Sequence, residues 1–435
     1  MRFKKFIPKL LIAAVLIPPT FASAQNSSVN TFSPYTYYGI GDIIQQGTAT
    51  TVAMGGTGLG YRSATEINLL NPASYSAVGQ RTALFHVGLE AQNFYLKSQS
   101  TSSSFNTFNV HDIALQLPLA KSLGLTVGII PFSTVGYRIS DYDDSTNIWE
   151  NIGDVHYLYS GSGGVNRFNI GVGYGITKWL SVGAQMLYYH GNIIRNYQQT
   201  ITSVTGSGTY VALSSDNHEY VNRIMCDFGV QARLFAHDNR SLELGAYYNM
   251  GGRLYGQVTE TVIHSPSFTS IGYDNVVNTT YRSQLRLPDI YSGGLCYQST
   301  KFSAALDYSF GAWGVNSAVS PTVAYRNTNT ISAGIEFTPK PGDVRRVLNR
   351  WSYRLGARYG QYYMTFNDRT LDQMAITLGV GIPLGVLGNN KVDVGIELGR
   401  RGVVADGLVR ENYFKVSVGL SLFGNDYWFV KYQYD

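Results

Sequence analysis

The residue types that carry most enzyme chemistry are sparse in this chain and form no motif. Its seven histidines lie at positions 86, 111, 156, 190, 218, 237 and 264, and no two are two to five residues apart. The sequence lacks H-E-x-x-H, C-x-x-C and G-x-S-x-G. It therefore predicts no metal site, no cofactor, no catalytic residues and no enzyme, although a Ser-His-acid triad converging in space stays open.

A glycine-rich run is the clearest motif. Residues 54–60 read Met-Gly-Gly-Thr-Gly-Leu-Gly. Such a run can cradle phosphate, but the Gly-Lys-Ser/Thr of a P-loop is missing, and no strand–helix context surrounds it. An Asn-Pro turn follows, so residues 25–80 are interpreted as a compact N-terminal hatch, or plug, of tight turns. Its motif residues are Gly55, Gly56, Gly58, Asn71, Pro72 and Ala73.

After residue 80 the chain alternates apolar and polar residues in segments that often reach ten residues or more. In residues 391–398, for example, Val392, Val394, Ile396 and Leu398 share one face of a strand. Strands of soluble sandwiches are usually shorter, whereas this length crosses a bilayer at a tilt. Only helices and closed barrels satisfy every backbone amide in lipid. The sequence therefore predicts an all-β fold, a transmembrane antiparallel β-barrel.

Fourteen such segments can be counted. They begin near residues 81, 108, 123, 165, 179, 220, 241, 288, 301, 325, 351, 371, 391 and 411. The connections alternate between short turns, including 339–350, and long polar loops, including 140–164, 195–220 and 256–287, as in outer-membrane barrels. We assign 81–423 to the barrel and 424–435 to a periplasmic tail; the alternative is that 427–434 forms a further strand.

Composition and the N-terminus agree with this class. Among 435 residues, 13% are aromatic and 14% charged, which excludes a charge-driven disordered chain. Residues 1–24 resemble a cleaved signal peptide, with four basic residues, an apolar core at 10–17 and an Ala-Ser-Ala site. Without those four charges, 29 basic residues face 28 acidic ones, so nothing favours nucleic acid. Cys226 and Cys296 fall on opposite strand faces, which predicts free thiols.

Side chains on the polar faces should fill the lumen with mixed charge. The predicted lumen residues are Arg223, Asp227, Arg233, Glu243, Asp307, Glu336, Arg354, Arg358, Asp393 and Glu397. Tyrosines near strand ends are expected at the lipid–water boundary, where an apolar ring and a polar tip suit the gradient. These are Tyr188, Tyr189, Tyr247, Tyr248, Tyr362 and Tyr363.

The glycine run, the Asn71-Pro72-Ala73 triplet and the glycine- and tyrosine-rich barrel together resemble the FadL family. Its members are outer-membrane transporters of long-chain fatty acids and other hydrophobic compounds, and the shuttle barrel of the type IX secretion system shares the fold. The resemblance spans the mature chain and implies fourteen strands with an N-terminal hatch. The tail after Phe423 departs from the better-known members, which leaves room for a partner-binding role.

Pro131 lies within the third alternating segment, where proline removes a backbone donor and is confined to edges, strand starts or bulges. In the FadL family, an inward kink of the third strand opens a lateral gap for apolar ligands. We expect Gly128, Pro131, Phe132 and Gly136 to mark such a passage. The alternative is a proline at the membrane rim with no pore.

These observations favour a passive channel for hydrophobic or amphipathic, fatty-acid-like molecules in the outer membrane of a diderm bacterium, in contact with its lipid. The alternative is a non-transport barrel that serves as an accessory or shuttle subunit of an outer-membrane secretion or assembly complex. In that case the tail or the periplasmic turns would bind a protein partner.

Overall fold

The computed structural model describes residues 31–80, 82–143, 153–202, 209–254, 256–264, 274–283, 285–385 and 390–424. The predicted signal peptide and the stretch 427–434 lie outside these residues. In chain order the strands are β1 (Asp42–Ile43), β2 (Ala83–Lys97), β3 (Ser102–Ala120), β4 (Leu123–Asp143), β5 (Asp154–Gly175), β6 (Leu180–Thr202), β7 (Thr209–His237), β8 (Arg240–Asn249), β9 (Gly252–Arg253), β10 (Gly256–His264), β11 (Asp274–Arg282), β12 (Arg286–Leu287), β13 (Ile290–Gln298), β14 (Phe302–Gly311), β15 (Val323–Tyr325), β16 (Thr328–Phe337), β17 (Ser352–Phe366), β18 (Arg369–Pro383), β19 (Lys391–Arg401) and β20 (Arg410–Gly424).

Fourteen of these strands form a closed antiparallel barrel, which confirms the predicted fold and strand number. They are β2–β8, β13, β14 and β16–β20. Each barrel strand pairs with its neighbours in chain order, and β20 pairs with β2 from Gly424 opposite Ala83 to Arg410 opposite Lys97. The barrel is therefore joined at the two ends of the strand sequence.

The faces of the strands are inverted relative to a soluble protein. On β19, Asp393 is 0% exposed and Glu397 is buried, whereas Leu398 is 54% exposed. A sandwich in water would bury the leucine and expose the carboxylates. Apolar residues facing outward and charges facing inward are the arrangement of a barrel whose solvent is lipid.

Three polar connections that the sequence predicts as loops are in large part strands. β5 begins at Asp154, β7 begins at Thr209, and β10 and β11 form a hairpin that adds to the edge of β7. Beyond the apolar belt both faces of a strand are polar. The period-two pattern therefore vanishes there, although the backbone pairing continues.

Residues 31–80, here called the plug, pack against the inner wall. They contain the helix α1 (Ala49–Val52) and 3-10 turns at Pro34–Tyr37 and Pro72–Ala77; further 3-10 turns are Trp313–Val315 and Val347–Arg350. The Pro72–Ala77 turn contacts β4–β7, and α1 contacts β18–β20, on the other side of the barrel. Among the described residues, no helix has the length and apolarity needed to cross a membrane.

Candidate functional site

The barrel wall parts between β3 and β4. The two strands pair only from the turn at Ala120–Leu123 up to Ile113 opposite Ile129. Beyond that point β3 continues to pair with β2 as far as Ser102. Over the same stretch β4 continues to pair with β5. We call this parting of residues 102–112 from residues 130–143 the seam.

The plug takes the place of β3 along the inner side of the seam. β1 pairs with β4, with Ile43 opposite Ser133. The backbone N–H of Ile44 donates to the carbonyl of Phe132 at 2.9 Å, and that of Ser33 donates to Gly136 at 2.8 Å. Between Phe132 and Gly136, the backbone edge of β4 is thereby bonded by plug residues rather than by the neighbouring strand.

Three of the four predicted passage residues lie at the seam. Pro131 and Ser133 flank a bulge, since their β5 partners are the consecutive residues Asn166 and Val165. Phe132 is buried and its ring lies edge-on to Tyr189 at 4.9 Å. The carbonyl of Gly136 accepts from the plug.

The fourth, Gly128, lies below the seam, where it still pairs with Ala114. Pro131 therefore follows the last β3–β4 pair, where a missing donor interrupts no ladder with β3.

Two cavities adjoin the seam. The larger, of about 300 Å³, lies in the lumen, and the smaller, of about 130 Å³, lies at the seam. Phe132 borders the first, and Pro131 and Thr134 border the second. Apolar and aromatic side chains dominate one wall of the larger cavity: Leu69, Leu70, Phe132, Tyr189, Leu287, Ile290, Trp313, Tyr362 and Tyr363.

The plug separates these two cavities. Ile43, Ile44 and Gln45 of the plug line both of them, as do Arg358, Gln373 and Arg401 of the wall. β1 and the two residues after it therefore lie between the two cavities, beside these side chains of the wall.

An inward-facing arginine holds this part of the plug to the barrel. Arg401 Nη1 donates to Asp42 Oδ1 at 2.6 Å and Nη2 donates to Oδ2 at 2.8 Å. Its Nε donates to Glu411 at 2.7 Å, and Nη2 also donates to Ser33 at 2.8 Å. Such a two-pronged pair is strong and directional. It ties β1 to β19 and β20.

The glycine-rich run is a structural anchor. Gly55 has φ of +73°, a conformation that L side chains rarely adopt, and a Cβ there would lie 2.8 Å from the carbonyl of Ala357. Gly56 has φ of +84°. The backbone N–H of Gly58 donates to Asp307 Oδ2 at 2.7 Å. The run thus binds a carboxylate of the barrel wall. Its sequence alone is of the kind that can bind phosphate.

The Asn-Pro-Ala triplet forms a second anchor, on β6 to β8 of the wall. Asn71 Oδ1 accepts from the N–H of Ala73 at 3.0 Å and thereby begins the 3-10 turn. Its Nδ2 donates to Leu59 O at 3.0 Å and to the wall carbonyls of Val230 and Ala246 at 3.3 Å. Pro72 packs so closely on β6 that a Cβ at Gly183 would lie 2.3 Å from its carbonyl carbon.

The predicted lumen charges are mostly paired with one another. Arg354 donates to Glu336 at 2.6 Å and to Asp393 at 2.5 Å, and Arg358 donates to Glu397 at 2.6 Å. Cys226 and Cys296 are free thiols, as predicted.

The prediction for the tyrosines is wrong for Tyr189, Tyr362 and Tyr363, which are buried in the lumen cluster, and for Tyr247, which lines the larger lumen cavity. Consecutive strand residues normally point to opposite faces, so only one member of Tyr188–Tyr189 and of Tyr247–Tyr248 faces outward. Tyr362 and Tyr363 are both buried, because they lie in a register shift between Gln361 and Thr365 on β17.

A buried histidine cluster near the seam was missed by sequence reasoning. His86 Nδ1 lies 2.5 Å from Asp112 Oδ2, and His111 Nδ1 lies 2.9 Å from Asp112 Oδ1. A register shift between Gly88 and Leu89 places the consecutive residues His111 and Asp112 both inside. Alternation predicts only one of them in the lumen, so no sequence pattern reveals the cluster. Within the described ranges, no group of three or more His, Cys, Asp or Glu residues could hold a metal ion.

Tyrosines of the plug are also buried. Tyr75 donates to Gln185 Oε1 at 2.8 Å, and burial raises the pKa of its hydroxyl. Burial raises the pKa of Tyr35 to about 12. Both side chains are therefore neutral hydrogen-bonding groups at ordinary pH, and they fix the plug to the wall without charge.

Known structures share this fold. A Pseudomonas aeruginosa FadL homologue aligns with a TM-score of 0.60 and 13% identity, over 88% of this chain and 99% of that one. The Ralstonia pickettii toluene transporter TbuX aligns at 0.55 and 15%, over 87% and 98%. The Pseudomonas putida toluene transporter TodX aligns at 0.54 and 17%, over 89% and 99%. At these identities the likeness establishes a FadL-like fold.

Sequence comparisons add a family. Residues 6–435 match the family model described as BamG. No curated protein matches the chain in sequence.

Proposed function

The chain belongs to the BamG family. From this premise and its FadL-like fold, we propose that it is a passive outer-membrane channel for hydrophobic or amphipathic small molecules. These molecules would leave the lumen laterally through the seam. A cleaved signal peptide at residues 1–24 would direct it to the outer membrane of a diderm bacterium. The observation that best supports the channel is the parting of β3 from β4 beyond Ile113 and Ile129, with a cavity on each side of β1.

The proposed path runs from the long loops into the apolar lumen cavity and then past β1. A ligand tail would lie against the aromatic wall of that cavity, because burying apolar area is favourable by about 25 cal/mol per Å². Movement of residues 42–46 would open the smaller cavity and the seam. The known structures named for toluene transport support an apolar ligand, and the arginines that line the larger cavity support one with a polar head, such as a fatty acid.

A disulfide across the moving segment tests the gate. Ile43 and Ser133 lie opposite each other, and the hydrogen bond from Ile44 to Phe132 marks theirs as a non-hydrogen-bonded pair. Such pairs have Cα atoms about 4.5 Å apart, within the range of a disulfide. The experiment uses Ile43→Cys with Ser133→Cys in a Cys226→Ser, Cys296→Ala background, reconstituted in liposomes.

Uptake of radiolabelled oleate, and of toluene in parallel, should fall to the protein-free rate when the pair is oxidised and recover on reduction. A control pair, Leu89→Cys with Val418→Cys, joins β2 to β20 in the wall and should leave uptake unchanged. Uptake that persists in the oxidised Ile43–Ser133 variant would show that this segment is not the gate.

Pro131 provides an independent test of the seam. If the proline contributes to the parting of the wall, Pro131→Ala should slow the uptake of oleate, because it restores a backbone donor beside the bulge. The matched variant Pro118→Ala changes a proline on the paired part of β3 and controls for general effects on folding. If the Pro131→Ala variant takes up oleate at the wild-type rate, Pro131 does not contribute to the gate.

A second candidate function is that of an accessory subunit of an outer-membrane secretion or assembly complex. It is favoured by the tight fastening of the plug, which Arg401 holds through Asp42 and Lys391 holds through Glu66. A plug so held suits a barrel whose lumen stays closed. Purification from native outer membrane with mass spectrometry distinguishes the two: a stoichiometric protein partner supports the subunit, and a monomer carrying fatty acid supports the channel.

A further inference from the structure

The connection between β16 and β17 is unlike the other short turns at its end of the barrel. β3 and β4 are joined by residues 121–122, and β7 and β8 by residues 238–239, whereas residues 338–351 separate β16 from β17. In outer-membrane barrels the end with short turns is periplasmic. A turn of this length exceeds what is needed to reverse the chain.

The turn is rigidly built from within. Asp343 Oδ1 accepts from the backbone N–H groups of Arg345 and Arg346 at 2.9 and 3.1 Å, and Oδ2 accepts from Asn349 Nδ2 at 2.8 Å. The N–H of Lys340 donates to the carbonyl of Asn349 at 2.7 Å and closes the base of the turn. The hydrogen bond from Asn349 is the main cause that lowers the pKa of Asp343 to about 2.

This rigid frame leaves apolar side chains exposed. Val344 is 72% exposed, Leu348 59% and Val347 52%. The outward-facing apolar residues of β16 end at Phe337, and those of β17 begin at Tyr353. Three exposed aliphatic side chains on a preformed turn, beyond the ends of β16 and β17, indicate a surface that is covered by something else.

The charge of the turn indicates what covers it. Lys340, Arg345 and Arg346 are exposed, and Arg350 is half-buried with its Nη1 donating to Gly385 O at 3.2 Å. Asp343 is the only acidic residue of the turn, and its oxygens already accept from the turn itself. An incoming carboxylate would therefore meet cations without a competing anion, and Arg can bind it with two parallel hydrogen bonds.

We propose that residues 339–350 form a docking surface for an acidic, amphipathic segment of a periplasmic protein, whose apolar residues cover Val344, Val347 and Leu348 while its carboxylates pair with Arg345 and Arg346. The inference rests on the second candidate function, because it names the chemistry of the partner that an accessory subunit would bind. It is independent of the seam, which lies towards the other end of β4.

The test uses the full mature protein in nanodiscs of phosphatidylcholine and a fluorescein-labelled synthetic peptide of glutamate and leucine. Fluorescence anisotropy should show saturable binding that weakens with salt. Arg345→Glu with Arg346→Glu, and separately Val344→Ser with Val347→Ser, should each weaken it by about tenfold or more. A peptide with lysine in place of glutamate should not bind.

The matched control is Lys121→Glu with Lys178→Glu, which removes two exposed cations from other turns at the same end and should leave binding unchanged. Equal loss in both charge variants would mean general attraction and would overturn the proposal, as would the absence of peptide binding. Vesicles of phosphatidylglycerol that bind wild type but not the Arg345/Arg346 variant, without peptide binding, would assign the turn to lipid instead. Uptake of oleate and co-purification of a partner are measured separately, so the docking surface can fail while either function stands.

Discussion

Replacing Arg401 with methionine should release the first part of the plug from the barrel. The side chain is similar in length but cannot donate. Asp42 therefore loses two hydrogen bonds, Glu411 and Ser33 lose one each, and both carboxylates lose their charge partner. Removing one partner from a buried ion pair costs about 3–5 kcal/mol, largely because the other charge is left uncompensated. The part of that cost that comes from Asp42 disappears if residues 33–46 detach and Asp42 reaches water.

The expected measure is amide hydrogen exchange of residues 33–46. If about 3 kcal/mol of local stability is lost, exchange there should speed up by about 100-fold, since every 1.4 kcal/mol corresponds to a factor of ten. The barrel strands should keep their protection. Arg401→Lys should give an intermediate effect, because one ammonium cannot reproduce the paired contacts of a guanidinium.

Arg354→Met is the matched control. Arg354 is buried and contacts two carboxylates, but both partners, Glu336 and Asp393, lie on barrel strands. Its loss should leave exchange in residues 33–46 unchanged. The reasoning is refuted if Arg401→Met leaves that exchange at the wild-type rate in a folded barrel, or if Arg354→Met accelerates it equally.

Three further predictions concern the plug and the periplasmic turn. Gly55→Ala should lower the temperature at which the barrel loses its compact form in SDS gels, because its φ is positive and a carbonyl of β17 lies in the way, whereas Gly342→Ala, whose new Cβ meets nothing within 4 Å, should not. Asn71→Ala should destabilise the protein by about 1–3 kcal/mol, since it leaves buried carbonyls unpaired, as measured by urea unfolding; no shift of the midpoint would contradict this. Asp343 has a lowered pKa, so its capping contribution should be complete above the ordinary value of 3.8 and be lost as the pH falls through about 2; carboxyl NMR titration of the side chain checks this, and a midpoint near 3.8 would contradict it.

The barrel could be predicted because the alternation that it requires is a local property of the sequence. A strand between lipid and a polar lumen must alternate, and residues 391–398 do so from the residue at which β19 begins, Lys391. The prediction failed where that cause is absent. β7 begins at Thr209 rather than near residue 220 because its first residues lie where both faces are polar, and no alternation is required there.

The site could be predicted only in part. Pro131 indicated a special place in the third segment, since its missing donor is a local property. The loss of pairing between β3 and β4, and its replacement by β1, depend on contacts between residues about ninety positions apart. No period or motif records such pairings. The exchange of partners by β4 therefore had to be seen in the structure.

The plug is the first segment of the chain that the structure describes, yet some of its partners lie near the other end of the sequence. Gly55 binds Thr377, and Ser33 binds Glu411, across more than 300 residues in each case. The plug is synthesised before β18 and β20, so these buried polar groups gain their partners only after both strands have been made. β2 likewise pairs with β20 only at that stage. Contacts of such long sequence separation make folding slow. We therefore expect the incomplete barrel to persist as an open sheet with unpaired edges, which a chaperone must protect until β20 has been added.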